Sequence, residues 1–332
     1  MDNNFNVIKQ WMGSLTAGRG TTALPNRFKA VFTALCAFSL LLTVVSSSGC
    51  AWLDQKQRRI IYRPTVGVPT DFAGLRAGDE RYFLDVPASS LHHGQVQPSR
   101  TDNAPPASAP ERIEMWWLPH TNPQAPTLLY YHGTFRNLYQ NLHKIEALRR
   151  AGFAVLAVEY RGWGQSSAIT PSEQSILQDA RLAFTELRRR EARPSQRVIY
   201  GHSMGSGVAV DIASRLQAPT DYGAIILESA LTSFTDVAVE ASWLGRLVSW
   251  LNNERFASIE KISQVKAPLL MLHGGLDTTV PPSLGNKLFA AANPPKQWLV
   301  IQNAKHSDVH EAGSAAYQAA LQGFMNLYVV GR

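Results

Sequence analysis

The run Val198-Ile199-Tyr200-Gly201-His202-Ser203-Met204-Gly205-Ser206-Gly207 constrains this chain more than any other. A β-branched and aromatic segment ends in G-x-S-x-G, and an apolar-periodic segment from Val208 to Leu216 follows at once. The pattern predicts a strand, a sharp turn and a helix. Small residues are needed in such a turn because the serine is held in strained backbone with its neighbours pressed together, and Gly201 and Gly205 remove the β-carbons that would collide. Ser203 is thereby lifted clear of the sheet edge, and the helix behind it aims unpaired N-terminal amides and its positive dipole end at whatever sits on the hydroxyl.

The surrounding chain shows a regular rhythm. Thr127 to Tyr131, Phe153 to Tyr160, Val198 to Tyr200, Ile225 to Leu227, Leu269 to Leu272 and Trp298 to Ile301 are short, nearly continuous apolar runs, the pattern of parallel strands buried on both faces. Helical patterns alternate with them over Leu142 to Ala151, Ser172 to Arg190, Val208 to Leu216 and Leu284 to Ala292. This predicts an α/β fold with a doubly wound, mostly parallel sheet, whose ligand site lies at the carboxyl ends of the strands. Arg81 to Val86 and Ile113 to Leu118 read as two leading strands, and Ile60-Ile61-Tyr62 as a short docking strand. Between the leading strands, residues 87–110 are rich in Pro and Ser and read as a loop. His92 and His93 lie in that loop without a carboxylate or third ligand at useful spacing, so no metal is expected there.

The amino-terminal stretch stands apart. Arg27 and Lys29 precede an apolar run from Ala30 to Val45 that closes in Ser46-Ser47-Ser48-Gly49-Cys50. Basic residues, apolar run and small residues in that order predict a targeting segment over 1–49, with the folded domain over 50–332. With Cys50 directly after Gly49, the segment resembles a bacterial lipoprotein signal, which implies lipidation of Cys50 and tethering to the cell envelope, at the outer membrane if the cell is Gram-negative. Ser47 stands where that family usually has leucine. The uncharged stretch runs on to Leu53 and is long enough to cross a bilayer, so an uncleaved inner-membrane anchor is the alternative. Cys36 and Cys50, the two cysteines, both lie here, and the folded part can therefore hold no disulfide. Of the formal net charge of +7, residues 1–49 carry +3 (four basic, one acidic), leaving a modest +4. No basic cluster with interleaved aromatics occurs, which argues against nucleic acid as a partner.

A serine hydroxyl is a weak nucleophile near neutral pH and needs a base within hydrogen-bond reach and a group to orient that base. Asp277, after the run Leu269 to Leu272, and His306, after Trp298 to Ile301, supply both, in the order serine, acid, histidine that accompanies this turn. Two backbone amides are candidates for holding a developing oxyanion. One is that of Met204; the other is that of Thr134, in the loop His132-Gly133-Thr134-Phe135.

Tyr131-His132-Gly133, Tyr160 to Ser166, Gly201-His202-Ser203-Met204-Gly205, His273-Gly274 through Asp277, and His306 together resemble the α/β-hydrolase superfamily, within it the membrane-associated acylglycerol lipases and acyl-thioesterases and related bacterial hydrolases. The resemblance covers about residues 110–325. It implies Ser203, Asp277 and His306 as catalytic residues, Met204 and Thr134 as oxyanion donors, no cofactor, and a small-molecule acyl ester or thioester as substrate. It also implies a small helical cap over about 230–265, where Trp243, Leu244, Leu247, Val248 and Leu251 fall at helical spacing. Thr134 and Phe135 stand where the family often has Asn and a small residue. Glu228 is the alternative acid; His132, His202 and His273 read as structural, and Asp308 and His310 as surface neighbours of the base. A peptidase of the same fold and a non-catalytic envelope protein remain as rival readings, and nothing in the sequence speaks to oligomeric state.

Overall fold

The computed structural model describes residues 52, 54–87, 110–241 and 254–330. The chain divides into two units, Met1–Asp54 and Gln55–Arg332, and the sheet and the site belong to the second. The expectations for residues 1–49 and Cys50, for most of the 87–110 loop and for 242–253 of the cap fall outside the described residues. Among those described, no helix is long and apolar enough to cross a membrane.

Eight strands form one sheet in the order β1-β2-β4-β3-β5-β6-β7-β8. They are β1 (Glu80–Asp85), β2 (Arg112–Leu118), β3 (Thr127–Tyr131), β4 (Ala154–Glu159), β5 (Arg197–His202), β6 (Ala224–Glu228), β7 (Leu269–Gly274) and β8 (Lys296–Ile301). β1 and β2 pair antiparallel, β2 is antiparallel to β4, and every pairing from β4 to β8 is parallel. The chain reverses its direction of growth at β3, β4 and β5, which puts the strand ends after β3 and β5 side by side, where a doubly wound sheet opens a crevice.

Alternation along the central strands explains why these runs are apolar throughout. Leu129, Tyr131, Ile199, Ile225, Leu227 and Met271 face one layer, with α2 (Glu173–Arg190), α3 (Met204–Ser214) and α6 (Pro282–Ala291). Leu128, Tyr130, Val198, Tyr200, Ile226 and Leu272 face the other, with α1 (Leu142–Arg150) and the carboxyl-terminal α8 (Ser314–Tyr328). A strand with helices on both sides has no polar face to present, so a period of two leaves no trace in its hydropathy. Shorter helices α4 (Phe234–Ala241), α5 (Ser258–Lys261) and α7 (Val309–Ala312) sit in the connections.

Three readings of the sequence need correction. Residues 60–62 are helical, not a strand: 55–62 coil as a helix so that Tyr62, fully buried, meets Trp163, Phe234 and Phe256 while Ile60 stays exposed. β8 is not buried on both faces; as the edge strand next to β7 it is half-buried along most of its length. The sequence reading also lacked α8, although Tyr317, Leu321, Phe324 and Met325 follow a period of 3.6 and all are buried. Its first half, Ser-Ala-Ala-Tyr-Gln-Ala-Ala, puts alanine on the exposed face, with Ala315, Ala316 and Ala319 exposed, so the contrast between inner and outer face is weak in the sequence.

Candidate active site

Ser203 joins β5 to α3 with φ 54° and ψ −122°, a left-handed conformation that an L-residue adopts only when its surroundings force it. The surroundings here are backbone. A Cβ on Gly201 would lie 2.1 Å from the Gly205 carbonyl oxygen, and one on Gly205 would lie 2.1 Å from that of Tyr131. Only glycine fits either place, so the turn can be tight enough to lift the Ser203 hydroxyl above the sheet while its amide bonds the Glu228 carbonyl at 3.0 Å.

His306, in the loop after β8, brings Nε2 to 2.9 Å from Ser203 Oγ, and its Nδ1 lies 2.8 Å from Asp277 Oδ2. An Nδ1–H pointing at a carboxylate leaves Nε2 unprotonated and able to accept the serine proton. Asp277 follows β7 and is itself fixed: Oδ1 accepts from the amides of Thr279 and Val280, each at 2.9 Å. Burial pushes this carboxyl up, but hydrogen bonds from His273 and His306 and the His306 charge outweigh it, and the group is held well below the usual carboxylate range. It stays ionised at any pH where the imidazole is neutral. The three residues that the sequence order singled out are thus brought within one hydrogen-bonded chain from three separate strand ends.

The loop after β3 runs past the serine: a Cβ on Gly133 would be 3.2 Å from Ser203 Cβ. Trp163 Nε1 donates to the Thr134 carbonyl at 2.5 Å, and Thr65 Oγ1 donates to that of Phe135 at 2.5 Å, so two segments from elsewhere clamp this loop from outside. Met204 is the first residue of α3, where amides have no intrahelical acceptor.

A family model described as Serine aminopeptidase, S33 (Hydrolase_4) matches residues 122–261, from ahead of β3 through the Ser203 turn to α5. Over 271 residues the chain is 31% identical to the uncharacterized protein Rv2307c of Mycobacterium tuberculosis, covering 81% of this chain and 86% of that one. The chain belongs to the α/β-hydrolase superfamily. Within it, the lysophosphatidylserine lipase ABHD12 of Danio rerio is 32% identical over 192 residues, 53% of this chain and half of the lipase. The Pyrococcus furiosus esterase Pf2001 has the same fold, with a TM-score of 0.59 at 17% identity over 80% of this chain and 98% of the esterase.

As in any α/β-hydrolase, what lies behind the three residues decides how firmly they are held. Glu228, the alternative acid, does not reach His306. It is fully buried at the end of β6, bonded to Lys144 Nζ and accepting from Tyr200 at 2.5 Å and Tyr317 at 3.1 Å. Burial would raise its pKa, but the Lys144 ammonium, with His202 and His310 behind it, brings it down to about 2. His202 lies on the same cluster and packs against the His306 ring at 5.2 Å. Burial, reinforced by Lys144, depresses its pKa far below the ordinary imidazole value, so it is neutral and donates Nε2–H to the His306 carbonyl at 3.1 Å. Ser229 Oγ donates to the same carbonyl at 3.0 Å. His202 and Ser229 therefore hold the backbone of His306 while Asp277 holds its ring. The sequence reading passed over Lys144 and Ser229; nothing local marks Lys144, a lysine on a helix whose charge is matched only by a residue 84 positions away.

His132 and His273 are structural, as expected: His132 Nε2 lies 3.0 Å from the buried Glu159, and His273 Nε2 is 2.9 Å from the Val280 carbonyl. Asp308 accepts from the Lys305 amide at 2.6 Å and closes the turn that carries His306. His310 is not a surface residue; only 3% of it is exposed, because α7 folds it against Tyr317 and His143. Burial and the nearby Lys144 lower its pKa from 6.5 to about 4. Between those two values the unfolded chain takes up a proton that the folded ring refuses, so stability falls as pH drops through the window. Urea midpoints measured at about pH 7 and about pH 5 should differ less in His310→Gln than in the parent protein.

An open cleft of about 500 Å³ beside His306 is lined by Arg136, His143, Lys305, Ser307, Asp308 and Glu311. Of the cap, the described flanks are α4, half-buried with no fully buried residue, and the segment from Glu254 through α5.

Proposed function

We propose that this chain is a serine hydrolase that cleaves carboxylic esters or thioesters of hydrophobic acyl groups through an acyl-enzyme. The observation that carries the reading is the unbroken line from Ser203 Oγ through the His306 ring to Asp277, at 2.9 and 2.8 Å. In the reaction so assigned, Ser203 Oγ attacks the acyl carbon as His306 Nε2 takes its proton, and the amides of Met204 and Thr134 bond the resulting oxyanion. The imidazolium, oriented and balanced by Asp277, then protonates the leaving oxygen or sulfur. A water molecule next gives its proton to His306, attacks the acyl-serine and releases the acid. Each oxyanion donor contributes roughly 3 to 4 kcal/mol to the transition state. The ester reading is further supported by the lipase activity in the name of the Danio rerio relative, whose length the chain half covers.

One specific observation favours a second reading: the matching family model carries the description of a serine aminopeptidase. An aminopeptidase grips an α-ammonium with carboxylates. The carboxylates in the cleft are Asp308, engaged by the Lys305 amide, and Glu311, with Arg136 and Lys305 on the same walls. That balance of charge suits an anionic or neutral substrate better than one carrying an α-ammonium. The test combines two measurements. A fluorophosphonate probe should label the protein once, with the adduct mapped to Ser203 by peptide mass. The parent enzyme should turn over p-nitrophenyl and thioester acyl substrates far faster than aminoacyl amides; faster amide turnover would establish the peptidase. A tether to the cell envelope, through lipid on Cys50 or the apolar stretch before it, completes the proposal and rests on the residues around 27–50 alone.

A further inference from the structure

At the outer wall of the cleft, three side chains converge that the hydrolytic chemistry does not use. His143 comes from α1, and His310 and Glu311 from α7. Their ligand atoms all lie within 4.8 Å of one another, with Glu311 Oε1 at 3.7 Å from His143 Nε2 and 3.5 Å from His310 Nε2. A second observation points the same way: His310 is 97% buried by its 3% exposure, yet neither of its ring nitrogens has a hydrogen-bond partner. Burying an imidazole without a partner is unfavourable, and the orphaned Nε2 faces a carboxylate that is itself exposed and able to move.

We propose that His143, His310 and Glu311 form a binding site for a divalent transition metal of the zinc class. Two imidazole nitrogens and one carboxylate oxygen are the donor set this class prefers. In a tetrahedral site with bonds of about 2.0 to 2.2 Å, neighbouring ligand atoms stand roughly 3.3 to 3.6 Å apart. The His310–Glu311 contact at 3.5 Å already matches that spacing and the His143–Glu311 contact at 3.7 Å is just beyond it; His143, 43% exposed on the first turn of its helix, needs only a side-chain adjustment to close on the other two. The fourth position opens onto the cleft that His306 also lines. If Ser203 and His306 act as proposed, a bound dication there opposes the positive charge the imidazole acquires in the transition state, and the metal lowers turnover.

The test uses the full-length protein with any affinity tag removed. Zinc titrated calorimetrically should bind with a stoichiometry of one, and cobalt(II) in its place should give visible d–d absorption. His143→Ala and Glu311→Gln, both exposed positions, should weaken binding by roughly tenfold or more. A His92→Ala/His93→Ala variant should bind as the parent does. No zinc binding by the parent, or binding untouched by both cleft variants and lost with His92 and His93, would overturn the site. Zinc inhibition of ester hydrolysis should disappear in Glu311→Gln; inhibition that persists there would overturn the link to the cleft. Because the isotherm does not depend on turnover, a protein without esterase activity still decides the metal site.

Discussion

Replacing Ser203 by alanine should lower kcat/KM toward short p-nitrophenyl esters by roughly four to six orders of magnitude, leaving only what bound amides and substrate positioning supply over water. The size of the effect follows from the geometry. Ser203 Oγ is the one hydroxyl bonded to His306 Nε2 among the described residues, and the Gly201 and Gly205 contacts that force its backbone are independent of its side chain. The alanine variant should accordingly keep the parent's fold and denaturation midpoint, which separates lost chemistry from lost structure. Asp277→Asn should cost about four orders, because an amide in place of the carboxylate favours the wrong imidazole tautomer. A Ser203→Ala protein within tenfold of the parent would remove this residue from the mechanism.

The largest stability effect should come from Lys144. Lys144→Ala should lower the unfolding free energy in urea by about 3 to 5 kcal/mol, since it strands an ionised Glu228 that is buried without exposure. Lys144→Met combined with Glu228→Gln should recover much of that loss, because removing both charges removes the need for either. The single variant should also lose activity beyond what its stability predicts. Glu228 supplies the carbonyl that holds the Ser203 amide, and its neighbour Ser229 holds the carbonyl of His306. A Lys144→Ala protein as stable as the parent would show that Glu228 takes up a proton when its partner leaves, and that the pair contributes nothing to folding.

Much of the fold was legible in advance, for reasons that differ by element. The central strands betrayed themselves as unbroken apolar runs because helices cover both faces, and the Ser203 turn did so because only glycine tolerates the contacts on either side. β8 misled for a related cause: Trp298 to Ile301 is as apolar as an inner strand, but edge position is set by pairing, and among the described residues no strand pairs with it on the side away from β7. The 55–62 helix was misread at Ile60-Ile61-Tyr62 because a β-branched pair raises strand propensity, while the packing of Tyr62 among Trp163, Phe234 and Phe256 pays the difference. For the acid, the sequence put Asp277 first and kept Glu228 as the alternative. Asp277 follows β7 and Glu228 ends β6, and the distances give His306 to the first and Lys144 to the second.

The order of residues by itself placed a serine, an acid and a histidine after the strands β5, β7 and β8, because each is a local feature written within a few positions of its own turn. Tertiary structure alone decided what surrounds them: the neutral His202 and the Ser229 hydroxyl that seat the His306 backbone, the Lys144–Glu228 pair beneath, and the His143, His310 and Glu311 cluster at the cleft. Those depend on burial and on pairings across 77 to 104 positions of chain, for Ser229 and His202 with His306. Burial and long-range partners are products of packing, and no short window of sequence carries them.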